Sequence, residues 1–314
     1  MAASSGAYPS VGELALRALS KYRSEFGSEP AFYGSAPGRV NLIGEHVDYC
    51  EGLVLPCAMP LYTVVVGSPV VGSSVCNVHS LDYPEPASFQ LPTEESPLKP
   101  GEPSWSNYVR GVVAHFPGKS LALEHVPLNL TSAVILVTDS KVKHALTGGE
   151  YAKRRDSCQA ASAVLGKSLR DASLEELEGC RERMTSEQYR RARHVISEIQ
   201  RTAQAAKLLQ KGDFRGLGEL MNASHASLRD DFEVSCPELD KLTQLSLESG
   251  AYGSRLTGAG FGGCTVTLVE EKLLPAVMDN IKSNYKGQAC FYICEPSAGA
   301  QYGCLSSLTS VKNS

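Results

Sequence analysis

Four side chains with complementary hydrogen-bonding chemistry stand within one short stretch: Arg39, Glu45, His46 and Asp48, inside the segment 35–56, SAPGRVNLIGEHVDYCEGLVLP. Carboxylates accept and a guanidinium donates in paired, planar geometry, so the set suits a neutral polyol, whose neighbouring hydroxyls each need a donor and an acceptor. Gly38, Gly44 and Gly52 punctuate the stretch. A solvated loop with a few ion pairs is the commoner origin of such a composition. A second glycine-rich stretch, 258–263 (GAGFGG), is by itself a weak phosphate-loop signal. No Lys-Ser/Thr follows it, so it is not a Walker A loop, and glycines ahead of a strand are also ordinary turn chemistry.

The elements that must position these residues can be read from periodicity. Apolar residues at 11, 14, 15, 18, 22 and 26 predict an amphipathic helix over 11–26. The β-branched run 62–67 (YTVVVG) predicts a strand, and 70–101, rich in Pro, Gly and Ser, reads as loops. Residues 105–116 have helical spacing, and 133–138 (AVILVT) reads as a buried strand. From 151 onward the pattern is mostly helical. Ser173 with Glu176 forms a capping box, and Ser235 with Glu238 forms a second beside Pro237. A long helix is expected over 186–210, with Val195, Ile196, Ile199, Ala203 and Ala206 on its inner face, and Asp213 is placed to cap the next helix. A strand at 264–269, a helix near 273–285 and a strand at 289–294 follow, and the tail past Tyr302 reads as frayed. Strands and helices that mix without regular alternation favour an α+β fold.

Composition excludes several classes. The chain has 314 residues, 42% of them hydrophobic, enough for two ordinary cores. Its formal charge of -4 gives no basic face for nucleic acid or a membrane surface, and no apolar run is long enough to span a bilayer. The N-terminal residues lack the pattern of a secretory signal. Ten scattered cysteines, with no C-x-x-C pair and no zinc spacing, predict reduced thiols in a cytoplasmic protein and no metal ligands. Taken alone, Trp105 and Tyr108 are core residues of an amphipathic helix, His46 a satisfied polar residue and Tyr151 half-buried packing.

The order of residues in 35–56 resembles the signature G-R-x-N-x-I-G-E-H-x-D-Y of the galactokinase family, within the GHMP small-molecule kinases. The segments WSNYVRG at 105–111, EYAKRR at 150–155, RDDFEVSCPELD at 229–240 and GSRLTGAGFGGC at 253–264 are similar to further family segments, so the resemblance covers nearly the whole chain. It implies a two-domain GHMP α+β fold, with a truncated N-terminal domain at 1–128 and a C-terminal domain at 129–314. It implies ATP-dependent phosphorylation of D-galactose to galactose 1-phosphate, with galactose and MgATP as partners, neither nucleic acid nor membrane, and a monomeric chain. Arg39 would stabilise charge at the reacting hydroxyl. Glu45, His46, Asp48 and Tyr151 would hold the sugar, Trp105 and Tyr108 would flank the adenine, and Gly258, Gly260 and Gly262 would form the loop against the nucleotide.

The chain also departs from that pattern. The family's P-x-G-x-G-L-S-S-S-A phosphate loop has no match, and the one Met-Asp pair, Met278-Asp279, lies beyond the last glycine segment and not in a G-x-M-D-Q context. The family's catalytic aspartate and its Mg2+-holding serine and glutamate therefore have no counterpart, and several dozen residues are missing near 117–132. An alternatively spliced or wrongly assembled product is the simplest account. The competing readings are a non-catalytic sugar-binding or regulatory relative, an N-acetylgalactosamine kinase relative, and a polypeptide that does not fold.

Overall fold

The computed structural model describes residues 8–115, 124–143 and 149–304. Contacts divide the chain into two units that interleave in sequence. The larger holds Gly38–Pro60 and Val126–Ala298; the smaller holds the described parts of Ala7–Pro37, Leu61–His125 and Gly299–Ser314. The expected ranges 1–128 and 129–314 are linear, whereas the units are not: the signature segment belongs with the C-terminal half.

In the smaller unit, helix α1 (Val11–Phe26) is capped by Ser10, whose hydroxyl accepts from the Glu13 amide while Glu13 reaches back to the Ser10 amide. Strands β1 (Phe32–Ile43) and β2 (Leu55–Gly67) start or end here and run on into the other unit. The region expected to be all loop carries two four-residue strands, β3 (Val75–Val78) and β4 (Ala87–Gln90), paired antiparallel. Helix α2 (Asn107–Ala114) follows a 3-10 turn at Ser104–Ser106. Phe116, expected within it, lies outside the described residues.

The larger unit is a four-stranded antiparallel sheet with helices. In chain order come β5 (Ala133–Lys143), α3 (Glu150–Leu165), α4 (Leu174–Gly179), α5 (Ser186–Gln210), α6 (Phe214–Asp230), α7 (Pro237–Glu248), β6 (Gly253–Thr257), β7 (Gly262–Glu270), α8 (Leu274–Asn284) and β8 (Cys290–Cys294). The sheet order is β6-β7-β5-β8, with Val137 opposite Val266 and Tyr292. A final strand, β9 (Gln301–Cys304), pairs with the start of β1, so the first residues past Tyr302 are ordered in a sheet rather than frayed; the rest of the tail lies outside the described residues.

The apolar run of β5 is explained by burial: Ile135, Leu136 and Val137 are all enclosed. One core cluster joins Leu136 and Val269 of the sheet to Leu242 and Leu245 of α7 and Val277 and Ile281 of α8. A second joins α3, α4, α5 and α6 through Cys158, Leu177, Val195, Ile196 and Leu228, with Val47 of the signature inserted among them. The capping box of α4 at Ser173 and Glu176 and the Asp213 cap of α6 form as expected, and Thr185 with Gln188 adds a box at α5. The box expected at α7 does not form. Cys236 is its capping residue, Pro237 takes the first helical position, and Ser235 instead donates to Asp240 Oδ1 at 2.5 Å.

The inner face of α5 also differs from expectation. Besides Val195 and Ile196 it buries Arg191, His194, Glu198 and Thr202, while Ile199, Ala203 and Ala206 are only partly covered. That spacing is itself helical, so a polar stripe runs down the buried side of the helix.

Candidate functional site

The signature is a sequence of sharp backbone requirements. After β1 ends at Ile43, Gly44 adopts φ +96°, and a Cβ there would collide with the backbone of Leu53 and Val54. His46 follows in the left-handed region at φ +57°. The next residue, Val47, is driven into the core, and a 3-10 turn at Asp48–Cys50 brings the chain back toward β2. Gly52 packs against Val47 and Ile199 too closely for any side chain. The glycines are thus fixed by close approach and by positive φ.

This geometry sorts the four candidate side chains into two pairs. Glu45 and His46 are buried and bound by the protein. Glu45 Oε1 accepts from Thr257 Oγ1 at 2.8 Å and from the Gly258 amide at 2.9 Å, while Oε2 accepts from Asn41 Nδ2 at 3.2 Å. His46 Nε2 lies 3.0 Å from the Ala259 carbonyl, which can only accept, so this nitrogen carries the proton and Nδ1 accepts from Tyr49 Oη at 3.2 Å. Burial is the main influence holding His46 below its usual range, against the Ala259 bond and the Glu45 charge. Both residues therefore grip the glycine stretch 258–263. By contrast, Arg39 and Asp48 are exposed, and neither side chain has a hydrogen bond or ion pair among the described residues.

Tyr151, at the start of α3, stands beside them. Its ring centroid is 5.3 Å from Tyr49 and 5.9 Å from His46. Burial first, and then the Asp48 carboxylate, raises its phenol above the ordinary value. Phe232 closes the box at 4.9 Å from His46. Sequence reasoning missed Tyr49 and Phe232, although both lie within the quoted motifs.

From the far side the glycine stretch is held by the segment after α6. The Phe261 amide donates to the Val234 carbonyl at 2.7 Å, and a Cβ at Gly260, whose φ is +78°, would overlap that same carbonyl. Gly258 and Gly263 differ: a Cβ at either would meet nothing within 4 Å. Arg154 braces the segment by donating to the Phe232 and Glu233 carbonyls at 3.2 and 2.9 Å.

Beneath the signature lies a charged layer that the sequence did not announce. Glu198, fully buried, accepts from the Gly44 amide at 3.0 Å, Ser224 Oγ at 2.6 Å and Arg201 Nε at 2.8 Å. Burial raises its carboxyl, but His194, Arg255 and Arg201 together with the Ser224 hydroxyl outweigh that and bring it down to about 2. His194, set between the Glu45 carbonyl and Ser227 Oγ, is pushed down to about 4, chiefly by burial. Arg255 is wholly enclosed; its Nη1 donates to the carbonyls of Asn41 and Leu42 and lies 3.8 Å from Glu45 Oε1. Its Nε and Nη2 have no hydrogen-bond partner, so the charge is offset by carboxylates rather than by full bonding.

Trp105 and Tyr108 belong to the smaller unit. Trp105 Nε1 donates to the Glu85 carbonyl at 3.1 Å, and its ring lies parallel to that of Tyr83. Tyr108, one turn on, is 86% exposed. Arg110 fastens α2 to β4, with Nε donating to Ser106 Oγ at 3.0 Å and its guanidinium 4.6 Å over the Phe89 ring.

Family comparison fits this picture. Residues 20–69 match the galactokinase galactose-binding signature, and 205–287 match the GHMP kinases C terminal. A galactokinase of Bos taurus is 41% identical over 382 residues, covering 93% of this chain and 97% of that protein. The chain belongs to the galactokinase family. A galactokinase of Homo sapiens is 39% identical, covering 95% of this chain and 98% of its own. The solved galactokinase of Lactococcus lactis, complexed with galactose, superposes with a TM-score of 0.81 at 25% identity, covering 92% of this chain and 99% of that one. The chain is shorter than its galactokinase relatives: the bovine alignment runs over 382 residues and the chain has 314, so several dozen positions have no counterpart here. The family's kinase fold is present, and its galactose signature is interlocked with its C-terminal glycine stretch.

Proposed function

We propose that this galactokinase-family chain binds galactose in its larger unit and an adenine nucleotide through its smaller one, and that it does not turn them over. The observation that carries the sugar half is the division of the signature. Glu45 and His46 hold the loop 258–263 in place, while Arg39, Asp48 and Tyr151 remain available to hydroxyl groups. A rim of donors and acceptors without hydrogen-bond partners among the described residues suits a ligand rich in hydroxyls, which can pair with each of them. Trp105 and Tyr108 supply flat apolar faces for a purine. A cytosolic location accords with ten cysteines that are all free thiols.

Family catalysis moves the γ-phosphoryl group of ATP to the anomeric hydroxyl of galactose. That step rests on positioning and on stabilising charge as it moves. In this chain Arg39 can meet negative charge developing at the hydroxyl. The sequence has no Gly-x-Met-Asp segment to bring a carboxylate to that hydroxyl, and no match to the family's P-x-G-x-G-L-S-S-S-A loop that would hold the triphosphate. Among the described residues, no group of three or more acidic, histidine or cysteine side chains could hold a metal ion. Magnesium would enter as part of the MgATP substrate.

Two measurements test the proposal. Calorimetry should show galactose binding that Asp48→Ala weakens by on the order of 1–3 kcal/mol, with the unfolding midpoint unchanged because the carboxylate is exposed. Direct detection of galactose 1-phosphate from purified chain with MgATP and galactose should show no sustained product. Turnover near about 10 per second, an ordinary enzyme rate, would overturn the inactive reading. Absence of galactose binding would overturn the sugar assignment.

A further inference from the structure

Trp105 is held at more than one point. Its indole N–H donates to the Glu85 carbonyl at 3.1 Å, and its ring lies 5.6 Å from that of Tyr83, centroid to centroid, with the planes 3° from parallel. Tyr83 and Glu85 come from the same short loop between β3 and β4, so one loop grips the indole by an edge and a face. Its backbone is fixed as well, in the 3-10 turn that opens α2. Tyr83 is 53% exposed, so packing demands from the core do not account for its position on the indole. Parallel, offset rings at this separation are an attractive arrangement, and a planar ring backed on one face keeps the other for a second stack.

We propose that Tyr83 is a positioning residue for adenine recognition: it backs Trp105, holds the indole plane ready, and leaves the opposite face to the purine. This rests on the reading of Trp105 and Tyr108 as the adenine-binding pair. A side chain already held in its bound orientation loses less freedom when the ligand arrives. The saving expected for one such side chain corresponds to roughly a three- to tenfold gain in affinity. The effect should fall on the base alone, so adenosine and ADP should respond by the same factor, and galactose, bound in the larger unit, should not respond.

The chain contains a single tryptophan, which makes the site directly observable. Adenosine and ADP should each change Trp105 emission, with affinities confirmed by calorimetry. In Tyr83→Leu, both should bind about three- to tenfold more weakly, while galactose affinity and the unfolding midpoint stay at the parent values. Tyr83→Phe, which restores the ring, should restore both affinities. Parental or tighter nucleotide binding in Tyr83→Leu overturns the inference, tighter binding meaning that Tyr83 covers the face the purine needs. A parent chain that binds neither adenosine nor ADP overturns the adenine reading itself, and this inference with it.

Discussion

The two units differ in what covers their apolar surface. In the larger one, Ile135, Leu136, Val195, Leu228, Val266 and Ile281 are all enclosed, and even the polar layer of His194, Glu198 and Arg255 is sealed beneath the signature. In the smaller one, the strand segment 61–67 has no fully buried residue, and neither has α2. One small buried cluster there is Ala15 and Tyr33 with Val64 and Val66 packed against them, and Leu19, Ala87 and Phe89 are also buried. The residues proposed to meet the sugar thus stand on an enclosed foundation in which function and stability share groups. The aromatics proposed to flank the adenine stand on elements whose apolar side chains reach the surface, so there the two can be separated by mutation.

The sharpest break in this comparison is expected within the glycine stretch. Gly260→Ala would force a Cβ into the Val234 carbonyl at a positive φ, so the larger unit should lose more than about 3 kcal/mol. Gly258→Ala meets no atom within 4 Å and bears only the left-handed backbone cost, about 1–2 kcal/mol. Denaturant unfolding of both variants measures the difference. Equal losses would show that the loop is not clamped between the signature and Val234.

The next effect comes from the buried imidazole. His194 stays neutral in the folded chain down to about pH 4, whereas an unfolded histidine takes up its proton near 6.5. Stability is therefore fully present above about pH 6.5 and declines as pH falls toward 4, by on the order of 3 kcal/mol in all. His46, also held low by burial, adds to the same slope. Glu198 acts in a different window: with its carboxyl near 2, its contribution is present above the ordinary carboxylate range and is lost only as pH falls below it. Urea midpoints at pH 7.5 and 5.0 should differ in the parent chain and differ less in His194→Gln. An identical difference would remove His194 from the account.

How much of this was legible in the sequence follows from the range of each interaction. Helix α1, the β5 strand and the capping boxes at Ser173 and Ser10 depend on neighbours three or four residues away, and local patterns of that range can be read directly. The Ser235 box failed because the competing partner, Asp240, lies five residues on within the helix. Strands β3 and β4, four residues each, are too short to show a period. Glu198 is the instructive case. Its polar side chain occupies the inner face of α5 because the amide it satisfies, Gly44, is 154 residues distant. No pattern along α5 could show that a buried acceptor was needed there. The motif supplied Glu45 and His46 as sugar ligands, and their protein partners became visible only when β6 and the glycine stretch were in place.

The smallest expected effect concerns the less covered unit. Val65 on β2 and Val112 on α2 are 60% and 68% exposed, and Tyr108 and Val71 are more exposed still. A strand of the pattern YTVVVG and an amphipathic helix ordinarily bury one face, and apolar surface left open to water favours association. The chain is therefore expected to self-associate, against the monomer that the family resemblance implies. Replacing Val65 with Thr and Val112 with Lys should reduce that association without altering galactose affinity, since neither residue belongs to the larger unit. Each replacement should change stability by only a few tenths of a kcal/mol, because little packing is lost at an exposed site. Light scattering after size exclusion, run on parent and variant at matched concentrations, measures the shift. A parent chain that elutes as a monomer and unfolds in one sharp transition would show that the smaller unit needs no further covering, and the contrast between the two units would then be one of charge and hydrogen bonding alone.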